Sequence, residues 1–283
     1  MTTYLITGAG SLGVALTNEL LKEPGNKIRV LDNSELALSK IKNDSVRKLY
    51  GSITDKDRVR RAVHAVDVVI HTAAMKNLEV TEYNVSELIK TNVVGTDNVI
   101  NAAVEAEVQK IVFISSDKAV EPSSIYGASK LIGEHTALNY NQTSTPASRV
   151  SIFRSGNFMV SNGNVRETWK SQLELGQSLT ITDIKCMRYF IQTDIAAKTI
   201  INSISKMTGG EIYIPDDIIM PELSIMSLAK KFAESKGVYA DELSFYFTGL
   251  RKGEKLSEQL FTVEESTRKI YNKELNCYII NSR

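Results

Sequence analysis

The sequence predicts an α/β protein built on a doubly wound parallel sheet, with a smaller, discontinuous lobe set into its second half. Three observations lead there. Short β-rich apolar runs alternate with helical patterns up to Arg154, the signature of successive βαβ units. A glycine-rich turn joins the first run to the first helix. After Arg154 the alternation becomes irregular, as it would where a second lobe grows out of the sheet's loops.

The strand expectations are Tyr4–Thr7, Ile28–Leu31, Val46–Tyr50, Val68–His71, Ile111–Ser115 and Ser151–Arg154. Between them lie helical patterns at Leu12–Lys22, Glu35–Lys42, Asp57–Ala65, Ser86–Glu105 and Ile125–Asn141. Beyond Arg154 come a turn-rich stretch at Ser161–Asn164 and helical patterns at Val165–Leu175, Thr193–Lys206 and Leu223–Lys236. Strands are expected at Glu211–Ile214, Leu243–Phe247 and Cys277–Ile280. The division that follows is a dinucleotide-binding domain over 1–155, completed by 190–215, and a substrate lobe from 156–189 and 216–283.

Gly8-Ala9-Gly10-Ser11-Leu12-Gly13 is a GxGxxG between a strand and a helix. In that setting Gly8 permits the tight turn, Gly10 lets backbone approach a pyrophosphate, and Gly13 lets helix and strand pack closely. The phosphates would lie at the helix N-terminus, over Ser11 and Leu12. Asp32 ends the second strand, where a carboxylate would accept hydrogen bonds from adenosine ribose hydroxyls. This favours NAD over NADP, with NADP left open. The alternative for Asp32 is a helix cap ahead of Glu35.

Ser116, Tyr126 and Lys130 supply the hydroxyl, phenol and ammonium needed to draw a proton from an alcohol while its carbon gives up hydride. A free tyrosine has a pKa of about 10 and needs a nearby positive charge to serve as a base. Tyr-x-x-x-Lys puts both side chains on one helix face, so Lys130 is expected to hold the nicotinamide ribose and assist Tyr126. Alone, that spacing more often marks a solvated helix face. Here it follows a strand ending in Ser115-Ser116, downstream of the glycine loop. Asp117 and Lys118 are the less usual feature, because plain alcohol oxidation needs neither. An acid and a base beside the oxidation centre suggest proton removal next to a new ketone with expulsion of a leaving group. The competing reading is an exposed charged turn before Pro122.

Composition excludes several other roles. The 34 Lys+Arg and 33 Asp+Glu nearly cancel, so there is no field to attract nucleic acid or an acidic membrane. Cys186 and Cys277 are far apart and belong to no Cys/His cluster, which points to reduced thiols with neither disulfide nor metal site. No signal-peptide pattern opens the sequence and no apolar run reaches the ~18 residues of a membrane span. A cytoplasmic location is expected.

With TGAGSLG, HTAAMKNLEVTEYN, KTNVVGT, SSDKAVEP, YGASK, RSGN and GLRKGEKLSEQL in view, the sequence resembles the soluble UDP-N-acetylglucosamine 4,6-dehydratases. These form the polysaccharide-biosynthesis branch of the extended short-chain dehydrogenases, which have a Rossmann-type fold. The resemblance implies a hydro-lyase that makes a UDP-4-keto-6-deoxy sugar for surface glycans. It implies an active centre of Ser116, Asp117, Lys118, Tyr126 and Lys130, with Ile53 and Ala73 joining Gly8, Gly10, Ser11, Leu12, Gly13 and Asp32 around the cofactor. Lys76 and Asn77 would meet the sugar or its phosphates, and Asn157, Arg188, Arg251 and Glu254 would grip the UDP.

In the implied sequence, Tyr126 takes the C4 hydroxyl proton, Lys118 the C5 proton, and Asp117 protonates the departing C6 hydroxyl. The soluble branch tends to invert C5. Homo-oligomers are implied, through the helices expected at Ser86–Glu105 and Ile125–Asn141. Two positions depart from the family pattern: Ser52 stands where an Asp usually meets adenine, and Lys252 where LRPGEK has Pro. Membrane-bound relatives generally carry Met in place of Tyr126, so its presence points to the soluble side. The alternatives are a UDP-hexose 4-epimerase, which needs Tyr126 but no elimination, and a nucleotide-binding redox sensor, which needs no Tyr126–Lys130 pair.

Overall fold

The computed structural model describes residues 1–143, 147–160, 165–239 and 242–281. The turn expected at Ser161–Asn164 lies outside them. All six strands expected before Arg154 form: β1 (Thr3–Thr7), β2 (Lys27–Asp32), β3 (Arg47–Tyr50), β4 (Val68–His71), β5 (Lys110–Ser116) and β6 (Arg149–Ser155). Further strands are β7 (Asn157–Phe158), β8 (Leu179–Ile181), β9 (Met187–Ile191), β10 (Glu211–Pro215), β11 (Glu222–Ser224), β12 (Phe245–Phe247), β13 (Ile270–Asn272) and β14 (Cys277–Asn281).

The main sheet runs β13-β14-β10-β6-β5-β4-β1-β2-β3. From β3 to β10 every pairing is parallel. Strand order reverses at β1, between β2 and β4, which opens a crevice at the carboxyl ends where a dinucleotide binds in such sheets. Strands buried on both faces need continuous apolar runs, and Val68–Ile70 and Ile111–Ile114 are of that kind. The strand expected at Glu211–Ile214 joins β6 in parallel, as the returning βα unit requires.

The C-terminal strand pairs antiparallel with β10, and β13 covers it in turn. Both strands therefore belong to the main sheet, which corrects the placement of all of 216–283 in the lobe. They cover the edge that β10 would otherwise expose.

Beyond the main sheet, β11-β9-β7 and the pair β12-β8 surround a separate apolar cluster. Fully buried Trp169 is its largest member, with Leu179, Ile181, Phe190, Ile225 and Phe232 around it. The helix expected over Leu223–Lys236 begins later, at Ile225, because Glu222–Ser224 pairs with Met187–Tyr189 first.

The long helix expected at Ser86–Glu105 is instead Val85–Leu88, a π-helical turn at Ile89–Val94, and Gly95–Glu105. A separate short helix, Leu78–Tyr83, precedes it. Within the π turn, Asn92 is buried; its Oδ1 accepts from Met75 N at 2.8 Å and its Nδ2 donates to Met75 O at 2.8 Å and Ser129 Oγ at 3.0 Å. Wide turns of this type concentrate at functional sites. This one ties the loop after β4 to the helix that carries Tyr126.

Arg154, near the end of β6, is 2% exposed. Its Nε and Nη2 donate to the two Glu134 oxygens at 2.9 and 2.7 Å. Nη1 and Nη2 both donate to Glu265 at 2.9 Å, and Nη1 donates also to Leu260 O at 2.9 Å. All five guanidinium N–H groups are thus engaged. Glu134 lies on the helix Ile125–Thr143, which also carries Tyr126 and Lys130; Glu265 is in the first turn of the helix Val263–Arg268, where it forms a capping box with Thr262.

Removing one partner of a buried ion pair leaves the others uncompensated, so Arg154→Met should lower unfolding free energy at neutral pH by about 3–5 kcal/mol in urea titration. Burial opposes the Glu265 charge, yet bonds from Arg154 and Thr262 hold its pKa below the usual value. The stabilisation is therefore full above the unfolded carboxyl pKa and fades as pH falls through the lowered folded one. Unchanged stability of the variant at neutral pH would show that the clamp contributes nothing.

Candidate active site

The site is assembled at the carboxyl ends of β1, β4, β5 and β6. Gly8 follows β1 with φ +97°, and a Cβ there would lie 2.6 Å from Thr72 Oγ1 and 2.9 Å from Ala73 N. A Cβ at Gly13 would fall 1.9 Å from Gly8 O, so helix and loop touch backbone to backbone. Gly10 is different: nothing lies within 4 Å of its Cβ position, and it starts the helix Ser11–Leu20 without a side-chain cap. Open space over uncapped amides suits an anionic ligand.

Asp32 Oδ2 accepts from Ala9 N at 2.6 Å and Oδ1 from Ser34 N at 2.7 Å. The helix Glu35–Ser39 is capped by Ser34, whose Oγ accepts from Ala37 N at 3.2 Å. Asp32 is therefore not the cap. It braces the glycine loop and still presents a partly exposed carboxylate at the end of β2. Ile53 is buried against Gly95, where a Cβ would come within 2.7 Å of Ile53 Cδ1, while Ala73 sits half-buried in the loop that meets Gly8. These residues together fit a dinucleotide.

Ser116, Lys118 and Tyr126 line one cavity of about 370 Å³ with Lys76, Asn77, Asn157, Arg188, Arg251 and Glu254. The structure thus brings these expected residues to one cavity, while Asp117 and Lys130 are not among its lining residues. Asp117 and Lys118 form a 3₁₀ turn directly after β5. Asp117 is fully buried, which rules out the exposed charged turn. Its Oδ1 accepts from Ser116 Oγ at 2.8 Å and Lys118 Nζ at 3.0 Å, while Oδ2 has no hydrogen-bond partner among the described residues. Burial disfavours the Lys118 ammonium, but Asp117 and Glu258 outweigh it and raise the pKa above the ordinary lysine value.

Tyr126 is 9% exposed. Burial raises its pKa; Lys118 counteracts this first, with a smaller contribution from a hydrogen bond to Ser116. Lys130 donates to Ile114 O at 2.8 Å and lies 4.8 Å from the Phe113 ring centroid. Burial pulls its pKa down to about 8, against Glu134. The cation that most favours phenol ionisation here is Lys118, a contribution the sequence reading did not include, and Lys130 is anchored to the strand carbonyl. The YxxxK spacing fixes the helix face but not which ammonium faces the ring.

Arg188 and Glu254 are paired with each other, Nη2 to Oε1 at 2.9 Å. Arg188 Nη1 donates also to Met187 O and Leu256 O, at 2.7 and 3.0 Å. Glu254 Oε2 accepts from Arg251 N at 3.1 Å. Glu254 thus holds both arginine-bearing segments at the cavity wall. Lys76 has its pKa lowered by burial. Asn77 caps the helix Leu78–Tyr83 through Val80 N at 3.1 Å while lining the cavity.

Sequence reasoning missed Lys255, Glu258, Asn92 and His71. Lys255 and Glu258 lie inside GEKLSEQL, and their i,i+3 spacing beside Arg251 and Glu254 was the available signal. His71 closes β4 between Thr7 Oγ1 at 2.6 Å and Thr96 Oγ1 at 3.0 Å, with burial pushing its pKa down to about 3. Because Thr96 donates its own proton to Asn92 O at 2.6 Å, a neutral His71 with its proton on Nε2 satisfies the chain. Among the described residues, no helix is long and apolar enough to cross a membrane.

A family model described as polysaccharide biosynthesis protein matches residues 4–280. A Campylobacter jejuni protein named UDP-N-acetylglucosamine 4,6-dehydratase (inverting) is 37% identical over 93% of this chain and 78% of its own length. An uncharacterized membrane protein of Methanocaldococcus jannaschii is 36% identical over 96% of this chain and 83% of its own. A Rickettsia prowazekii protein named UDP-glucose 4-epimerase is 30% identical over 94% and 79%. The solved structure of Pen from Bacillus thuringiensis superposes with a TM-score of 0.92 at 32% identity, covering 99% of this chain and 88% of that one. With the family model spanning both the glycine loop and the Asp117–Lys118 turn, the chain belongs to the polysaccharide biosynthesis protein family, on an extended short-chain dehydrogenase fold.

Proposed function

We propose that this chain is a UDP-N-acetylglucosamine 4,6-dehydratase, a hydro-lyase that uses NAD and regenerates it each turnover. The observation that carries the reading is the Asp117–Lys118 pair, 3.0 Å apart, in which Lys118 lines the cavity with Tyr126 and Asp117 is buried next to it. Oxidation alone, as in an epimerase or a sensor, gives no reason to bury a second acid and base there.

Gly8, Gly10, Ser11, Leu12 and Gly13 would carry the cofactor pyrophosphate, Asp32 its adenosine ribose, and Ile53 and Ala73 the walls; Lys130 would stand at its nicotinamide end. When bound, the nicotinamide supplies oxidation at C4 and the later reduction at C6. Tyr126 takes the proton of the C4 hydroxyl, with the Lys118 charge first and Ser116 second in easing its ionisation. The resulting ketone acidifies the C5 hydrogen.

The Asp117–Lys118 pair can supply both remaining roles with the one proton it shares. Moving one proton from Lys118 to Asp117 across their hydrogen bond converts the ion pair to a neutral amine and a carboxylic acid. Lys118 then takes the C5 proton while Asp117 protonates the C6 oxygen, and water leaves. Afterwards Lys118 is again an ammonium and Asp117 again a carboxylate, so the pair returns to its starting charge. Arg188 uses three of its five N–H groups in the bonds given above, which leaves two to meet a diphosphate, with Arg251, Asn157, Lys76 and Asn77 around the rest.

The C. jejuni relative carries "inverting" in its name, and inversion at C5 is proposed here too. The helices at 85–105 and 125–143 leave Ile89, Val94 and Ile132 exposed, which supports the proposal of a homo-oligomer.

Incubation with UDP-N-acetylglucosamine should give a product lighter by one water, with a 4-keto-6-deoxy sugar of inverted C5 by NMR. An unchanged mass with a new C4 stereoisomer would establish the epimerase reading instead. In binding titrations NAD should bind more tightly than NADP, whose extra phosphate would bring negative charge to Asp32. Equal or tighter NADP binding would contradict that assignment.

A further inference from the structure

Glu258 is buried, 4% exposed, and comes from the C-terminal segment rather than from any strand end of the site. Its Oε1 lies 3.6 Å from Lys118 Nζ, and its Oε2, which has no hydrogen-bond partner among the described residues, lies 3.7 Å from Lys255 Nζ. Lys255 is itself fixed by donating to Val120 O at 2.9 Å, just past the Asp117–Lys118 turn. Asp117, Lys118, Glu258 and Lys255 therefore form a chain of alternating charge with no net excess. A buried carboxylate left short of hydrogen bonds is costly unless the neighbouring charge matters. The neighbour here is the group proposed to take the C5 proton.

We propose that Glu258 is a positioning residue for the elimination step, fixing Lys118 beside Asp117 and stabilising the positive charge that Lys118 gains as it takes the C5 proton. The inference rests on the dehydratase reading above. That charge is absent from the neutral amine that begins the step and grows as the proton arrives, so a fixed carboxylate 3.6 Å away favours the transition state over the ground state. C4 oxidation takes its proton through Tyr126, and Asp117 by itself still holds Lys118 and its charge in place, so oxidation depends on this interaction much less. Because Glu258 lies four residues after Glu254, the segment that braces Arg188 at the nucleotide end also sets the charge at the sugar end. Binding at one end and base strength at the other thus share one piece of chain.

The test compares wild type, Glu258→Gln and Glu258→Asp with NAD and UDP-N-acetylglucosamine in deuterated water. Transient absorbance of reduced nicotinamide reads C4 oxidation, and mass spectrometry reads deuterium at C5 and loss of water. In Glu258→Gln, C5 exchange and water loss should fall at least about tenfold, the equivalent of one pKa unit in Lys118, while C4 oxidation falls far less. The alkaline limb of the dehydration pH profile should move to lower pH, since Lys118 loses a neighbour that favours its proton. Glu258→Asp should recover part of both. Equal loss of oxidation and exchange, an unmoved limb, or undiminished dehydration in Glu258→Gln would overturn the role of Glu258. Absence of C5 exchange and water loss in the wild type would instead overturn the dehydratase reading together with it.

Discussion

The bidentate grip of Arg154 on Glu134 and Glu265 sets the spacing on which the site depends. A buried guanidinium must have every N–H satisfied, and only one relative position of three chain segments satisfies all five here. Those segments are the helix bearing Tyr126 and Lys130, strand β6 leading into Asn157, and the C-terminal stretch leading back through Glu258, Lys255 and Glu254. Sheet hydrogen bonds place the strand ends, and a backbone bond from Met187 N, at the start of β9, to Leu256 O reaches the C-terminal stretch. The clamp fixes that stretch a second time, from inside the protein and away from the cavity.

Around that frame, the site separates two chemical tasks by their electrostatics. Tyr126 sits where burial works against its ionisation and a single ammonium works for it. Lys118 sits where two carboxylates favour its proton and burial opposes it. The same ammonium faces both groups, so in the proposed reaction phenol ionisation and C5 proton removal are coupled through one side chain. Lys130 is anchored to Ile114 O, at the end proposed for the nicotinamide.

Much of this was legible in the sequence. The alternation of β-rich and helical runs is a local property and gave the six strands before Arg154, and GxGxxG in a strand-turn-helix setting located the cofactor loop because its glycines answer local backbone demands at Gly8 and Gly13. Ser116, Asp117, Lys118 and Tyr126 were legible because they fall within one short segment at a strand end. What escaped depends on contacts distant in the chain. The π turn at Ile89–Val94 arises from Asn92 bonding to Met75 and Ser129, and no periodicity encodes that. The membership of β13 and β14 in the main sheet follows from the bare edge of β10. The pairing of Arg188 with Glu254, and of Lys118 with Glu258, joins residues more than sixty positions apart; Arg188 and Glu254 read as ligand contacts but not as partners, and Glu258 was not singled out.

The central claim is that Tyr126 governs C4 oxidation while the Asp117–Lys118 pair governs elimination. Arginine keeps a positive charge but does not deprotonate at working pH, so Lys118→Arg preserves the cation near the phenol and removes the base. The decisive measurement is single-turnover reduction of the nicotinamide, followed beside water loss, in Lys118→Arg and Tyr126→Phe. The account expects Lys118→Arg to reduce the nicotinamide without dehydrating the sugar, and Tyr126→Phe to do neither. Dehydration by Lys118→Arg at the wild-type rate, or reduction by Tyr126→Phe at that rate, would contradict it.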